Sequence, residues 1–143
     1  AFLSMTVLLE EMGYNIWPAP FISTRILGCA PILEAGTEEQ KQEILPKAAN
    51  GELILTMALT ESDGGYEPAT IKARAAKEDG GWVIEGVKLF VPDGLVADCI
   101  LCVARTSESA DPEAGLTLFL VKTDHPGVTV TPLKGTSPGL VTV

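Results

Sequence analysis

The spacing of apolar residues changes character at Gly51, and that change constrains the fold more than any other feature of the chain. Before it, the signals are helical. Residues from Phe2 to Met12 form an amphipathic stretch, and Gly13 follows as a helix-ending glycine. Tyr14 to Pro20, with Pro18 and Pro20, reads as an irregular connector. Ser23 or Thr24 is placed to cap a second helix running through Glu34, with Pro31 kinking it and Gly36 stopping it. Thr37-Glu38-Glu39-Gln40 has the capping-box pattern, so a third helix starts there. Pro46 interrupts or restarts that helix, and Asn50-Gly51 ends it. Beyond Gly51 the apolar runs are short and punctuated by turns. Leu53 to Leu59 is nearly continuous and suits a buried strand. Ile71 to Ala75 alternates, Asp79-Gly80-Gly81 signals a hairpin, and Trp82 to Val91 reads as the return strand. Ala97 to Arg105, Leu116 to Val121, Val128 to Thr131 and Leu140 to Val143 complete the set, with a polar loop from Thr106 to Gly115. The predicted class is α+β: helices over residues 1–52, then an antiparallel β-barrel or sandwich over residues 53–143.

Composition narrows the function classes. Apolar residues make up 46% of the 143, enough for a packed core. The formal net charge of −9 repels phosphate backbones and anionic membrane surfaces, which argues against nucleic-acid partners. Apolar runs fall far short of the roughly 18 residues a membrane span needs. The chain opens inside a helix and closes inside a strand-like run, and we expect it to be a piece of a longer protein. Three cysteines without a basic leader fit a reducing compartment, here taken as the cytoplasm. Cys99 and Cys102 are three apart on a strand, so their sulfurs point to opposite faces; we expect core packing rather than a metal or redox site.

The stretch from Ala58 to Lys88 carries the chemistry. An apolar strand runs into Thr60-Glu61 and the turn Asp63-Gly64-Gly65; a hairpin follows whose second arm ends in Gly86-Val87-Lys88. Such a strand end presents a hydroxyl and backbone amides to a flat, polar-edged ligand. Other polar residues have plainer expected roles. Glu61 is expected to be structural rather than a general base, His125 to sit in an exposed turn, and Lys72, Arg74 and Lys77 to form a solvated strand face. Trp82 is expected to pack across the sheet.

Several segments, in order, resemble the acyl-CoA dehydrogenase family. They are Gly36-Thr37-Glu38-Glu39-Gln40-Lys41, Leu45-Pro46 and Asn50-Gly51-Glu52; then Thr60-Glu61 with Gly65; then Gly86-x-Lys88 with Phe90-Val91; then Ala97-Asp98, Ala104-Arg105-Thr106 and Gly127-Val128. The resemblance implies that residues 1–52 are the end of the family's helical N-terminal domain and 53–143 most of its β-barrel middle domain, without the C-terminal bundle. That bundle carries the family's usual catalytic carboxylate, so the resemblance places no catalytic residue and no metal ligand in this chain and implies that it is inactive alone. It implies FAD as cofactor, an acyl-CoA thioester as substrate, α,β-dehydrogenation as reaction, an electron-transferring flavoprotein as partner and a homo- or hetero-oligomeric parent.

The cofactor-binding residues implied by the resemblance are Met57, Leu59, Thr60, Gly65, Tyr66, Phe90 and Pro92. The Thr60 hydroxyl would bond the polar edge of the flavin ring, with the main chain of Met57 and Leu59 running along it. Gly65 would let backbone amides approach the pyrophosphate. Phe90 matches a tryptophan beside the ring. Two positions depart from the family pattern: Tyr66 stands where serine is usual, and Pro92 where a threonine often bonds the flavin. Proline has neither hydroxyl nor N–H, so one flavin hydrogen bond is lost or replaced. The departures motivate one alternative, a non-catalytic partner subunit of a heteromeric dehydrogenase; an acyl-CoA oxidase-like flavoenzyme of the same fold and a plain β-barrel binding module without flavin are the other two.

Overall fold

The computed structural model describes residues 2–134 and 140–143. Its elements, in chain order, are α1 (Phe2–Tyr14), a π-helical segment (Ser23–Cys29) continued by α2 (Ala30–Ala35), α3 (Glu38–Ala49), β1 (Leu55–Ala58), a 3-10 turn (Pro68–Thr70), β2 (Arg74–Glu78), β3 (Gly81–Glu85), β4 (Val91–Pro92), β5 (Cys99–Arg105), β6 (Leu116–Lys122), β7 (Thr131–Pro132) and β8 (Leu140–Thr142). Among the described residues no helix is long and apolar enough to cross a membrane.

The strands form two sheets. β5 is the hub of the larger one, with β6 along one edge, β1 on the other and β2–β3 continuing from its end; the smaller sheet runs β4-β8-β7. The expected α+β architecture is present, with one correction to the pairing. β1 lies parallel to β5, from Leu55↔Cys99 to Ala58↔Cys102, and β2 meets β5 in parallel at Arg74↔Arg105. Alternation predicts strands but not their direction, and parallel pairing follows only from the long crossover between β1 and β5.

β5 separates two layers of core. Cys99 and Leu101 pack with Leu55, Ile32 and Ile44 against the helices, while Ile100 packs with Ala58, Val91, Ala97 and Val141 toward the smaller sheet. Cys99 is therefore core, as its strand position implies. Burial pushes the thiols of Cys29, Cys99 and Cys102 up, away from the reactive thiolate form.

Local signals hold at α3 and the hairpin. The Thr37 hydroxyl accepts from the Gln40 amide at 3.3 Å and the Gln40 side chain accepts from the Thr37 amide at 2.9 Å, which completes the capping box. Pro46 lies within α3 without ending it, and Gly51 follows at φ 76°. Asp79 and Gly80 take φ 37° and 87°, the paired positive values of a type I′ turn. Trp82 reaches Phe119 of β6 with ring centroids 5.4 Å apart.

Two expectations fail. Neither Ser23 nor Thr24 caps a helix, because helical backbone already begins before them and both hydroxyls are engaged by the β-part. Pro31 stands in the first turn of α2, where its missing N–H falls at the change from π to α register. The return strand also divides: β3 ends at Glu85, and Val91–Pro92 joins the other sheet.

Candidate functional site

β1 delivers Thr60 to the sheet end. Along β1 the side chains alternate, with Leu55 and Met57 in the helix-facing core and Ala58 in the other layer. Met57 is thus packed against the helices, and only its main chain is available to a ligand on the opposite side. Thr56 is fully buried and donates its hydroxyl to the Pro92 carbonyl at 2.7 Å. That bond ties β4 to β1 and uses the carbonyl of Pro92.

Beyond Ala58 the chain is held by the segment that divides the return strand. The Lys88 side chain donates to the Leu59 carbonyl at 3.2 Å, and the Leu89 amide donates to the Thr60 carbonyl at 2.8 Å. Both carbonyls of the Leu59–Thr60 pair are therefore satisfied within the protein. Among the described residues the Thr60 hydroxyl makes no hydrogen bond, although the residue is half-buried. Phe90, one residue past Leu89, is 56% exposed and sits at φ 56°. A left-handed phenylalanine is costly, and such conformations persist where surrounding structure enforces them. The structure thus brings Leu59 and Thr60 together with Leu89, and so with its neighbour Phe90, at one end of β1, while Pro92 lies beside Thr56 within the strand.

Gly65 and Tyr66 lie in the loop after Glu61. A Cβ on Gly65 would stand 2.8 Å from the Thr70 methyl, so the loop needs glycine there to close on the 3-10 turn. Tyr66 is 80% exposed, and no hydrogen bond joins it to Thr60 or Phe90 among the described residues. Asp63 pairs with Lys72 and steadies the loop; Arg74 pairs with Glu108 at 2.9 Å. Those exposed pairs agree with the solvated-face reading. His125 is exposed, and its Nδ1 accepts from the Gly127 amide, as a turn residue would. Arg105 donates to the carbonyls of Ile71, Pro68, Ala114 and Pro112, closing the loop over residues 106–115.

The buried centre of the site is an ion pair: sequence reading gave Glu61 a structural role but did not pair it with Lys88. Lys88 is 2% exposed and Glu61 is 7% exposed; Lys88 Nζ lies 2.7 Å from Glu61 Oε1. Glu61 also accepts from the Ala73 amide at 3.0 Å and the Lys72 amide at 2.8 Å. Burial pushes the Glu61 carboxyl up, but the hydrogen bonds from Lys88, Ala73 and Lys72 outweigh it and hold the group below its ordinary value. A carboxyl so held is a poor proton acceptor and a good brace, in accord with its expected structural role. The available signal was a lysine inside the apolar run Val87-Lys88-Leu89-Phe90-Val91, facing a single acid at the end of an apolar strand. The same reading missed Ser23, whose hydroxyl donates to Asp93 at 2.5 Å, and Thr24, whose hydroxyl accepts from the Leu55 amide at 3.3 Å. These two bonds lock the π-helical segment to β1 and to the turn after β4.

Comparison with known proteins places the chain. Residues 1–52 match the acyl-CoA dehydrogenase N-terminal domain, and residues 56–139 match the acyl-CoA dehydrogenase middle domain. A probable acyl-CoA dehydrogenase, FadE10 of Mycobacterium tuberculosis, is 41% identical over 102 residues, covering 70% of this chain and 16% of that protein. A Mycobacterium smegmatis glutaryl-CoA dehydrogenase solved in complex with FADH2 superposes with a TM-score of 0.71 at 32% identity, over 81% of this chain and 30% of that one. The Tcur3481-Tcur3483 steroid acyl-CoA dehydrogenase superposes with a TM-score of 0.78 at 30% identity, over 87% and 32%. The chain thus spans less than a third of the length of each of these relatives. With both domain matches falling in order along it, this chain belongs to the acyl-CoA dehydrogenase family.

Proposed function

We propose that this chain is the junction and flavin-contacting part of an FAD-dependent dehydrogenase that introduces an α,β double bond into an acyl-CoA thioester. Residues 1–52 would be the end of the helical domain and 53–143 the middle domain. One observation carries the reading: the end of β1 presents a Thr60 hydroxyl without a partner among the described residues, close to an exposed Phe90, with the carbonyls of Leu59 and Thr60 engaged behind it. That edge suits a flat ring with polar atoms on its rim.

The residues present fit a flavin with one loss. Thr60 would bond the ring edge, Leu59 and Met57 would line it through their main chain, and Phe90 would pack on it. Gly65 and Tyr66 would lie toward the phosphate end. Pro92 offers no donor, and its carbonyl is held by Thr56. The bound flavin would accept the hydride; the chain's own part is to orient the ring and exclude water from one side of it. The relative solved with FADH2 supports this cofactor. No residue here is assigned as the base that removes the α-proton, so the chain by itself should bind without turnover. We assign an electron-transferring flavoprotein as the acceptor, an oligomeric parent, and the cytoplasm, which suits three cysteines outside any disulfide. Pro92 favours a second reading, a partner subunit that keeps the fold and has lost the flavin.

Quenching of FAD fluorescence on titration with the chain, with riboflavin as control, tests the proposal. Saturable FAD binding is expected. Thr60→Ala should weaken it about 2- to 10-fold, the size of one net hydrogen bond. Absence of binding by the chain and by a longer form carrying its neighbouring domains would favour the flavin-free subunit.

A further inference from the structure

The Lys88–Glu61 pair joins four stretches of chain that are far apart in sequence. Glu61 follows the β1 edge and takes the amides of Lys72 and Ala73, which lead into β2. Lys88 takes Glu61 and the Leu59 carbonyl through Nζ. Its main chain pairs with Val143 at the end of β8, with the Lys88 amide donating at 2.6 Å and the Val143 amide donating back at 2.9 Å. Gly86 makes the approach possible, since a Cβ there would stand 2.6 Å from the Ala73 Cβ. Two residues on from Lys88 stands Phe90.

A buried ion pair is weak evidence of stability, because an apolar pair of similar volume often serves as well. What an apolar pair cannot do is donate to the Leu59 carbonyl. Lys88 contacts the β1 edge from its protein side, and the next residue's amide contacts Thr60. A displacement of Lys88 would move both the Thr60 edge and Phe90, since Leu89, which lies between Lys88 and Phe90, holds the Thr60 carbonyl.

We infer that Lys88 is a positioning residue: braced by Glu61, it clamps the Leu59 carbonyl and so sets the placement of the Thr60 hydroxyl against the Phe90 ring. The inference rests on the flavin reading for its functional meaning, while the clamp itself is open to a flavin-independent measurement. The clamp costs a desolvated charge pair and yields a ligand edge that does not shift when the ligand binds.

The experiment pairs hydrogen exchange with FAD titration on the chain and two variants. Lys88→Met with Glu61→Gln removes both charges together and leaves an acceptor for the amides beside Glu61. Ile32→Val trims the helix-facing core, which contains none of the clamp residues, as a control for stability alone. In the double variant we expect the Leu89 amide to lose protection by about tenfold or more while the β5–β6 amides keep theirs. FAD affinity should fall about tenfold, the equivalent of one well-placed hydrogen bond. Ile32→Val should leave FAD affinity unchanged. Unchanged Leu89 protection and FAD affinity in the double variant would overturn the inference. So would an equal loss of affinity in Ile32→Val, which would trace the effect to stability. If the unaltered chain binds no FAD, the flavin reading falls, and Leu89 exchange alone decides the clamp: lost protection supports it and retained protection overturns it.

Discussion

Replacing Lys88 with methionine should cost about 3–5 kcal/mol in urea unfolding at neutral pH, because it strands the Glu61 carboxylate in a buried site with two amides and no counter-charge. Glu61→Gln in the same chain should restore a large part of the loss, since the neutral amide can keep an acceptor toward Ala73 or Lys72. The pH dependence should separate the two proteins further. In the unaltered chain the Glu61 carboxyl is held below its ordinary value, so the unfolded state binds the proton more readily. The stability from this group is then fully present above the unfolded pKa of about 4.3 and is lost as pH falls through the lower folded value. Without Lys88 the strongest lowering influence is gone, so burial should outweigh the two remaining amides and raise the folded pKa. The sign reverses: Lys88→Met should gain stability relative to the unaltered chain as pH is lowered from 7 toward 5. Urea midpoints of both proteins between pH 4 and 8 measure this. A loss under about 1 kcal/mol at pH 7, with parallel pH profiles, would mean that water reaches Glu61 and the pair acts as a surface bridge.

The second large effect concerns Gly28 in the π-helical segment. A Cβ built there collides with the Leu55 Cβ and also lies 3.2 Å from its Cδ1 and 3.3 Å from its Cγ. Leu55 is fully buried on β1 and lies at the centre of the helix-facing core. Gly28→Ala should destabilise by about 1–3 kcal/mol through overpacking, even though alanine is the better helix former by about 1 kcal/mol. The segment would move off β1, and the Thr24 hydroxyl would part from the Leu55 amide. Leu55→Ala should itself cost about 2–5 kcal/mol. It should not rescue Gly28→Ala, because the closest clash is with the Leu55 Cβ, which alanine keeps. Thermal or urea unfolding of both single variants and the double variant forms a cycle. Near-additive or worse losses are expected; a double variant more stable than Leu55→Ala alone would show that the helix yields to the added methyl.

Much of the local structure was legible along the chain. The capping box from Thr37 to Gln40, the Asp79-Gly80 turn and the alternation about β5 each depend on a few neighbouring residues, and each formed as expected. The ordered match of short segments to one family was likewise legible, because it needs only residue types and their order. Ser23 and Thr24 misled for a physical reason. A hydroxyl at a helix start caps in the absence of competition, but here Asp93 and the Leu55 amide compete from other parts of the chain. Trp82 to Val91 misled likewise: periodicity read one strand, but pairing in the first sheet stops at Glu85 and Val91–Pro92 pairs with β8 in the second, a choice of distant partners that alternation does not encode.

The sequence by itself determined where helices give way to strands, which turns close the hairpin and which family pattern the chain carries, since propensity, capping and residue order act over a few positions. Only the tertiary structure decided that β1 runs parallel to β5, that Lys88 meets Glu61 27 positions away, and that Leu89, next to Phe90, bonds the Thr60 carbonyl. Those outcomes depend on which distant segments exclude water together, and a buried charge acquires its role only from the partner that the fold brings to it.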